Sequence, residues 1–293
     1  MRPSLERNEG PRRGWRMPEL PEVEIATRHL RAWASGREVE GVETEARAGR
    51  LFRPGRAKGF EAALRGRRVA SVRRVGKQIL VRLERDGEEP LGLISHLGMT
   101  GKWLRRTRGE APPSHSRARL LLDDGVVLHY RDPRLFGRLR VVPRASFEEV
   151  PEIAALGPDP LTDGVDVRRL ARELLRRRSP VKVALLDQSL LAGVGNILAS
   201  EALHRARIDP RRRARDLTRA EVRRLAVAVV AAIRETIARE ERPEVTYVEE
   251  PGAENPFLVY AREGERCPRC RRARLRRVVQ AQRSTFFCPR CQR

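Results

Sequence analysis

Met17-Pro18-Glu19-Leu20-Pro21-Glu22-Val23-Glu24 is a stretch in which prolines and acidic residues precede an apolar repeat. Apolar side chains then recur every three or four residues, at Val23, Ala26, Leu30 and Trp33. This spacing predicts an amphipathic helix that begins within the stretch. Glutamates in its first turn suit the positive end of the helix dipole, and Gly36 is a candidate C-cap.

Pro18 has a second interpretation, which depends on where translation begins. If it begins at Met17 and that methionine is removed, Pro18 becomes an N-terminal secondary amine that can attack carbon and form a charged iminium. A free α-amine has a pKa of about 7.7–8.0, so part of it is neutral near physiological pH. Burial and the nearby helix N-terminus would raise that neutral fraction. Glu19 then stands beside the nucleophile as a candidate general acid and base.

Residues 1–16 oppose this interpretation, because a retained extension would leave Pro18 as an inert mid-chain amide. The segment has neither the apolar core of a signal peptide nor helical or strand periodicity, so we expect it to be unstructured. Our interpretation is that the true start codon is Met17 and that 1–16 is a mis-annotated extension. Proteolytic processing and loss of catalysis are the alternatives.

The charge balance indicates a polyanionic partner. The chain carries 62 Lys and Arg against 39 Asp and Glu, a formal net charge of +23. Such an excess is typical of proteins that bind nucleic acid or an anionic membrane surface. No apolar run approaches the ~20 residues needed to cross a bilayer, so nucleic acid is favoured. We expect a monomer that acts in the cytoplasm, at the nucleoid.

Residues 17–146 are predicted to form a first domain of short strands behind the first helix. Residues 68–72, 78–83 and 91–95 have the apolar content of strands. Residues 118–130 indicate a hairpin around Asp124-Gly125, a strong two-residue turn signal. Many short strands beside one helix predict a β-sandwich or barrel.

Residues 147–259 are predicted to be mainly helical. Residues 181–191 and 196–206 have helical spacing, and Gly193-Val194-Gly195 between them is a turn whose backbone can come close to a partner. Asn196 is a candidate N-cap for the second of these helices.

A further helix is predicted from a capping box formed by Thr218 and Glu221. Its buried stripe is expected at Leu225, Val229, Ile233 and Ile237. Residues 243–258 are rich in Glu, Pro and Gly and indicate a loop.

Four cysteines form two Cys-Pro-Arg-Cys pairs that are separated by 17 residues: Cys267, Cys270, Cys288 and Cys291. This spacing brings four thiolates around one tetrahedral zinc ion, and the lack of a secretion signal argues against disulfides. Residues 260–293 are therefore predicted to form a zinc-stabilised hairpin, with strands at 275–279 and 285–287 and a tip at 280–283. A site closed by four ligands is structural rather than catalytic.

Taken together, these segments resemble the formamidopyrimidine-DNA glycosylases, which excise oxidised purines from DNA. Motifs similar to the family's occur in its order, at 17–24, 96–101, 132–137, 193–201 and 281–286. The resemblance covers Met17 to the C-terminus. It implies an α+β fold with an N-terminal β-sandwich and flanking helix (17–146), a helix–two-turn–helix domain with a lesion loop (147–259), and a C-terminal zinc-ribbon hairpin (260–293).

The resemblance also implies a role for each matching residue. Pro18 would be the nucleophile and Glu19 the proton shuttle. Phosphate contacts near the lesion are implied for Lys77, which we place with the catalytic residues, and for His96, Asn196 and Arg283; Lys182 would be a further basic residue near the lesion. Met99, Arg134 and Phe136 would fill the space that an extruded nucleotide leaves. Extrusion costs a few kcal/mol, and inserted apolar or planar side chains recover part of that cost.

Taken singly, several of these residues have plainer interpretations. Lys77 and Lys182 could be solvated surface lysines, Met99 a core residue after a strand, and Phe136 a buried aromatic at a strand end. Only their joint occurrence with the flanking motifs favours the functional roles.

The predicted function is that of a base-excision-repair DNA glycosylase and AP lyase, which acts on double-stranded DNA containing oxidised purines through a Schiff base at Pro18 and β,δ-elimination. Zinc is the only predicted cofactor. Two alternatives stay open. One is an endonuclease VIII-like glycosylase for oxidised pyrimidines, although Leu20-Pro21 and the set Met99, Arg134 and Phe136 favour the purine branch. The other is a noncatalytic zinc-containing DNA-binding protein, if Pro18 is not a free N-terminus.

Overall fold

The protein has the predicted α+β architecture in a computed structural model that describes residues 18–242 and 255–293. The predicted extension at 1–16 and most of the predicted loop at 243–258 lie outside the described residues. Neither prediction is therefore tested.

Two antiparallel sheets form the predicted β-sandwich. Its strands are β1 (Val39–Thr44), β2 (Arg68–Val75), β3 (Gln78–Glu84), β4 (Leu91–His96), β5 (Lys102–Thr107), β6 (Ser116–Leu122), β7 (Val126–Arg131) and β8 (Arg138–Pro143). One sheet has the order β1-β6-β7-β5 and the other β2-β3-β4-β8. Trp103 of β5 donates a hydrogen bond to Ser95 of β4 across the shared core (3.0 Å). The sequence does not predict β1, β5 and β8, because charged residues interrupt their apolar pattern.

Helix α1 (Leu20–Ala34) begins in the stretch 17–24, as predicted. Pro21 occupies its first turn, where a missing backbone N–H leaves no hydrogen bond unmade. The helix contacts β2 of the sandwich and also α7 (Arg219–Glu240) of the helical region. Gly36 follows its end with a φ of +78°, which explains the glycine there. Helix α1 therefore joins two parts of the molecule.

The helical region contains α3 (Pro151–Ala154), α4 (Val167–Leu175), α5 (Val181–Leu185), α6 (Asn196–Ala206) and α7, while α2 (Ala57–Leu64) lies within the sandwich segment. The predicted capping box of α7 is present and its predicted stripe is buried. The predicted helix over 181–191 is too long. Helix α5 ends at Leu185, and the Asp187 carboxylate then accepts hydrogen bonds from the N–H and O–H of Ser189 (2.9 and 2.7 Å), an alternative to helix continuation. Among the described residues, no helix is both long enough and apolar enough to cross a bilayer.

The C-terminal hairpin consists of β9 (Arg276–Gln280) and β10 (Arg283–Phe287). Its tip has two residues, Ala281 and Gln282, with φ of +46° and +60°. Two positive φ values give the tight turn that matches the twist of a hairpin. The prediction of a four-residue tip was therefore wrong, and Arg283 is the first residue of β10.

The hairpin region is fixed to α6 along its length. The Glu201 carboxylate accepts hydrogen bonds from the backbone N–H groups of residues 258–260 (2.9–3.1 Å). Further along, Gln292 donates to the carbonyl of Ile208, just past the end of α6 (2.9 Å). Helix α6 and the hairpin are therefore held together at two separate places.

A buried ion network connects the sandwich to the helical region. The Arg74 guanidinium of β2 donates to Glu24 of α1 (2.9 Å) and forms two hydrogen bonds with Asp159. Asp159 also accepts the backbone N–H of Gly76 (2.9 Å), in the turn that carries Lys77. Breaking any of these contacts would leave a buried charge unpaired, which is costly. The network therefore holds the turn at Gly76 and Lys77 in place.

Candidate active site and metal centre

The start of α1 packs against the glycine turn 193–195. Leu20 donates its backbone N–H to the carbonyl of Gly193 (3.1 Å). A Cβ on Gly193 would lie 2.7 Å from the Cβ of Leu20, and a Cβ on Gly195 would lie 2.3 Å from Cδ of Glu19. Both glycines are therefore needed for this close approach. Pro18 and Glu19 are buried at the contact.

The Glu19 carboxylate caps helix α6. It accepts the backbone N–H of Ile197 at 2.8 Å and that of Leu198 at 3.0 Å, one on each oxygen. The prediction of Asn196 as N-cap was wrong, because Gly195 holds that position and has no side chain to accept the free N–H groups. Glu19, from a distant part of the chain, accepts them instead. Its carboxylate is thus fixed in direction beside Pro18 and lies at the positive end of the α6 dipole.

A cavity of about 430 Å³ lies where the sandwich, the helical region and the hairpin meet. Its lining includes Lys77, His96, Asn196 and Arg283, four residues singled out from the sequence. Gly195, which contacts Glu19, lines it too. Residues as far apart in sequence as Lys77 and Arg283 are therefore brought to one cavity.

Positive charge is concentrated around this cavity. Burial lowers the pKa of Lys77, against the charges of Glu19 and Glu22, and Arg283 lowers it further. Burial also lowers the pKa of Lys182 to about 8, helped by Arg283. The interpretation of Lys182 as a solvated helix lysine was wrong, since its exposed fraction is 0%. Clustered cations of this kind favour an anionic ligand.

Asn196 links Lys182 to the hairpin. Its side-chain oxygen accepts a hydrogen bond from Nζ of Lys182 (2.5 Å), and its Nδ2 donates to the carbonyl of Ser284 (3.0 Å). Ser284 follows Arg283, the first residue of β10. The contact with Asn196 therefore fixes the start of β10, and with it Arg283, relative to α6. The phosphate contact of Asn196 stays a prediction.

His96 presents one ring nitrogen to the protein and lines the cavity. Its Nδ1 accepts the backbone N–H of Gly98 (3.1 Å), which leaves Nε2 as the N–H donor of the neutral ring. Burial lowers the pKa of His96 to about 4, and the charges of Lys77 and Arg138 act in the same direction. A neutral N–H donor is therefore available at Nε2 throughout the neutral pH range.

The shifted pKa of His96 predicts a pH dependence of stability. Between about pH 6.5 and 4, the histidine of the unfolded chain takes up a proton that the folded imidazole does not, so stability is lost as pH falls through this window. Between pH 7 and 4.5, the wild type should lose about 1–3 kcal/mol more unfolding free energy than His96→Gln. Urea unfolding of both proteins at both pH values measures the difference, and equal losses would contradict it.

Two loops beside the cavity are organised by Asp132. One carboxylate oxygen accepts the N–H of Gly137 (2.8 Å), and the other accepts the hydroxyl of Thr100 (2.6 Å). The loop 96–101 and the loop 132–137 are thereby held by one buried side chain. A Cβ on Gly98 would lie 2.4 Å from the backbone carbon of Phe136, so the glycine permits the loops to touch.

The three predicted stack-filling residues lie on these two loops. Phe136 is exposed over 39% of its surface, so the interpretation as a buried aromatic was wrong. The Arg134 guanidinium lies 4.6 Å from the centre of its ring, a cation–π contact that orients both. Met99 is half-buried rather than a core residue.

The four cysteines fit one zinc ion. Their Sγ atoms all lie within 4.8 Å of one another, and the pairs Cys267–Cys291 and Cys270–Cys288 are 3.8 Å apart. A tetrahedral site with Zn–S bonds of about 2.3 Å has sulfur–sulfur distances of ~3.8 Å. The predicted structural zinc site is therefore confirmed in its ligand set. When bound, zinc would hold the ends of the hairpin in one geometry.

Cys270→Ser should release zinc and weaken binding to duplex DNA at least about tenfold, because the hairpin that carries Arg283 loses its metal cross-link. Arg272→Gln, an exposed change in the same knuckle, is the control and should keep the metal. Zinc content by atomic absorption and affinity by fluorescence anisotropy are the measurements. Unchanged affinity in a zinc-free Cys270→Ser protein would refute the prediction.

The sequence assigned no role to Asp132 or Thr100, and for Gly195 it predicted a close approach without its partner. A signal for Asp132 exists, since an aspartate before a proline commonly accepts hydrogen bonds from the next turn. The partner of Gly195 has no local signal, because Glu19 lies far away in sequence.

Three family models match the chain. They are the formamidopyrimidine-DNA glycosylase N-terminal domain at residues 17–139, the formamidopyrimidine-DNA glycosylase H2TH domain at 156–246, and the zinc finger found in FPG and IleRS at 264–293. Together they span all three regions of the structure. The last match covers all four cysteines, so a zinc finger is found by geometry and by sequence alike.

Whole-chain relatives agree with these matches. A formamidopyrimidine-DNA glycosylase of Rhodospirillum centenum is 40% identical and one of Thermus thermophilus 41% identical, over 94% of this chain and 100% and 98% of theirs. The crystal structure of the MutM (Fpg) protein of Thermus thermophilus has a TM-score of 0.76 at 39% identity, over 94% of this chain and 98% of that one. A complex of the Lactococcus lactis Fpg with abasic-site DNA has a TM-score of 0.82 at 26% identity, over 94% and 99%.

Proposed function

The chain belongs to the formamidopyrimidine-DNA glycosylase family, and on that basis we propose how its residues excise oxidised purines from DNA. The protein is a base-excision-repair DNA glycosylase that contains one structural zinc ion and acts on double-stranded DNA. AP lyase activity is typical of the family. The proposal concerns the residues that carry out these steps.

The observation that carries the proposal is the placement of Glu19. Its carboxylate is buried, held by two backbone N–H groups of α6, and adjacent in sequence to Pro18. A carboxylate fixed in this way can give a proton to a leaving base and take one from the sugar. The other buried carboxylate near Pro18, that of Glu22, accepts the backbone N–H of Glu19 (3.0 Å) as part of the capping box of α1.

The chemistry begins at the amine of Pro18 once that residue is the N-terminus. Its lone pair attacks C1′ of the extruded nucleotide, and the bond from C1′ to the damaged base breaks as the base takes up a proton. The nitrogen then loses its proton, and the C1′–O4′ bond of the sugar ring breaks as O4′ takes up a proton. The iminium formed in this way joins enzyme and sugar, which is the covalent catalysis open to amines. Loss of a C2′ proton expels the 3′ phosphate, and loss of a C4′ proton then expels the 5′ phosphate, so the strand is cleaved on both sides.

The remaining residues hold the substrate. Lys77, His96, Asn196 and Arg283 bind phosphates at the cavity, with Lys182 behind Asn196. Met99, Arg134 and Phe136 enter the stack, so that the cost of extruding the nucleotide is partly recovered.

A direct competition experiment tests the lesion class. Duplexes that contain 8-oxoguanine or thymine glycol are mixed in equal amounts with the protein that begins at Pro18, and the products of each are followed. Faster removal of 8-oxoguanine supports the proposal. Faster removal of thymine glycol would assign the endonuclease VIII-like activity instead, and binding without cleavage of either would indicate a noncatalytic DNA-binding protein.

A further inference from the structure

A second cleft, of about 1040 Å³, opens on the sandwich beside Phe136. It lies between a 3₁₀ helix (Ala46–Phe52) with the segment that follows it and the loop at 135–138. We call it the arginine cleft after the arginines that line it: Arg47, Arg50, Arg53, Arg56 and Arg138. Of these residues, only Arg138 acts on the site described above, through the effect of its charge on the pKa of His96.

Four of these arginines recur at every third residue, from Arg47 to Arg56. A 3₁₀ helix has three residues per turn, so side chains at positions i and i+3 lie directly above one another, ~6 Å apart along the axis. Arg47 and Arg50 therefore share one face of the helix. The residues buried on the other two faces anchor it in the core: Ala48, Leu51 and Phe52. The result is a row of cations on a fixed backbone.

The charges of the arginine cleft are not neutralised. All five arginines are exposed, and within the described parts of the chain none lies within 4.0 Å of a carboxylate oxygen. The acidic residues nearest in sequence are engaged elsewhere: Glu43 pairs with Arg119, Glu45 with Arg117, and Glu61 accepts a hydrogen bond from Thr44. Arg50 lies over the Phe136 ring (5.8 Å), a contact that leaves its charge in place. A concave surface with five guanidinium groups that no carboxylate neutralises attracts a polyanion.

The position of the cleft identifies which polyanion. His96 of β4 is directly paired with Arg138 of β8, and the two line adjacent cavities, His96 the first and Arg138 the second. Phe136 stands at the rim of the arginine cleft. Suppose that the damaged strand of a duplex enters the first cavity and that the Phe136 ring inserts between its bases. The backbone of the undamaged strand then lies on the opposite side of the Phe136 ring, which is the side of the arginine cleft.

We propose that the arginine cleft binds backbone phosphates of the undamaged strand, opposite the lesion. The inference rests on the proposed function, because it takes the damaged strand to occupy the first cavity. Arginine suits this role, since its guanidinium donates two parallel hydrogen bonds to a phosphate. These contacts position the duplex and carry no sequence information.

The test compares two triple variants of equal charge. Arg47→Gln/Arg50→Gln/Arg53→Gln removes cleft cations. The control, Arg82→Gln/Arg108→Gln/Arg176→Gln, removes three surface arginines that are paired with carboxylates. The probe is a duplex with a tetrahydrofuran abasic analogue, and its Kd is measured between 50 and 200 mM salt. Each lost phosphate contact lowers the salt slope by about 0.9. The slope of log K against log salt concentration should fall by about 2–3 in the cleft variant, and its affinity should fall about 10–100-fold. In the control, the slope should fall by less than about 1.

A second measurement assigns the strand. Neutral methylphosphonates placed in the undamaged strand should weaken binding by the wild type and the control but not by the cleft variant. Placed in the damaged strand, they should weaken all three proteins equally. An unchanged salt slope in the cleft variant, or its normal sensitivity to methylphosphonates in the undamaged strand, overturns the proposal.

A third measurement separates this proposal from the proposed function. Cleavage of a single-stranded abasic oligonucleotide should be equally fast for the wild type and the cleft variant, because no second strand is present. A slower cleft variant here would mean that the arginines serve the damaged strand and would overturn the assignment. If the wild type cleaves no abasic DNA, the proposed function fails, while the binding measurements still decide what the cleft contacts.

Discussion

A protein that begins at Pro18 should form a borohydride-trapped covalent adduct with abasic-site DNA, and a protein that retains residues 1–17 should form none. The reason is electronic. The amine of an N-terminal proline has a free lone pair, whereas the same nitrogen within the chain shares its lone pair with a carbonyl group. Reduction of the iminium joins protein and DNA permanently. Intact-mass spectrometry of both proteins after incubation with borohydride measures the adduct, and we expect a difference of at least about a thousandfold in yield.

The control is DNA binding by the longer protein. Both forms should contain zinc and should bind the tetrahydrofuran duplex, because the cavity, the hairpin and α6 do not depend on a free amine. An adduct on a protein whose mass includes residues 1–17 would contradict the prediction. It would indicate a lysine nucleophile instead, and Lys77 would be the first candidate, since it lines the cavity and burial lowers its pKa.

Glu19→Gln should reduce the release of 8-oxoguanine by about a hundredfold to ten-thousandfold, the usual range for removal of a general acid and base. The change preserves size but replaces an ionisable oxygen with an amide that cannot shuttle a proton. It also places an NH₂ group against one of the two N–H groups of α6, which weakens the cap. Single-turnover kinetics on 8-oxoguanine duplex measures the effect. A rate within about threefold of the wild type would contradict the role of Glu19.

Gly195→Ala provides an independent way to disturb the same group. Its Cβ would lie 2.3 Å from Cδ of Glu19, so the carboxylate must move although it is chemically intact. Gly59→Ala, which adds a Cβ with nothing within 4 Å, is the matched control. We expect Gly195→Ala to lose most of its excision rate while Gly59→Ala keeps it. Full activity in Gly195→Ala would show that the position of Glu19 is not critical.

Local patterns predict much of this fold. Strands β2, β3 and β4, the hairpin of β6 and β7, and helices α1, α6 and α7 all follow from apolar spacing and turn residues close together in sequence. The four cysteines predict their own site for the same reason. Where a side chain competes with the backbone, as Asp187 does after α5, spacing alone predicts a helix that is too long.

Contacts between distant segments could not be predicted in the same way. Nothing near Lys182 indicates that Asn196 and the hairpin will enclose it, so its burial is visible only in three dimensions. Likewise, the sequence around α6 gives no sign that its cap comes from Glu19. The resemblance to a family indicates which of these residues are functional. The fold explains why they lie close together.

The contact between Glu19 and the start of α6 can be followed by the hydrogen exchange of two backbone N–H groups. Because the N–H groups of Ile197 and Leu198 bond only to the Glu19 carboxylate, their hydrogen exchange with solvent requires the sandwich and the helical region to part at this seam. Their exchange rates therefore measure how often the reacting carboxylate is out of place in the resting protein. Slower exchange when DNA is present would reveal that substrate closes the seam, a property that can be followed without any turnover.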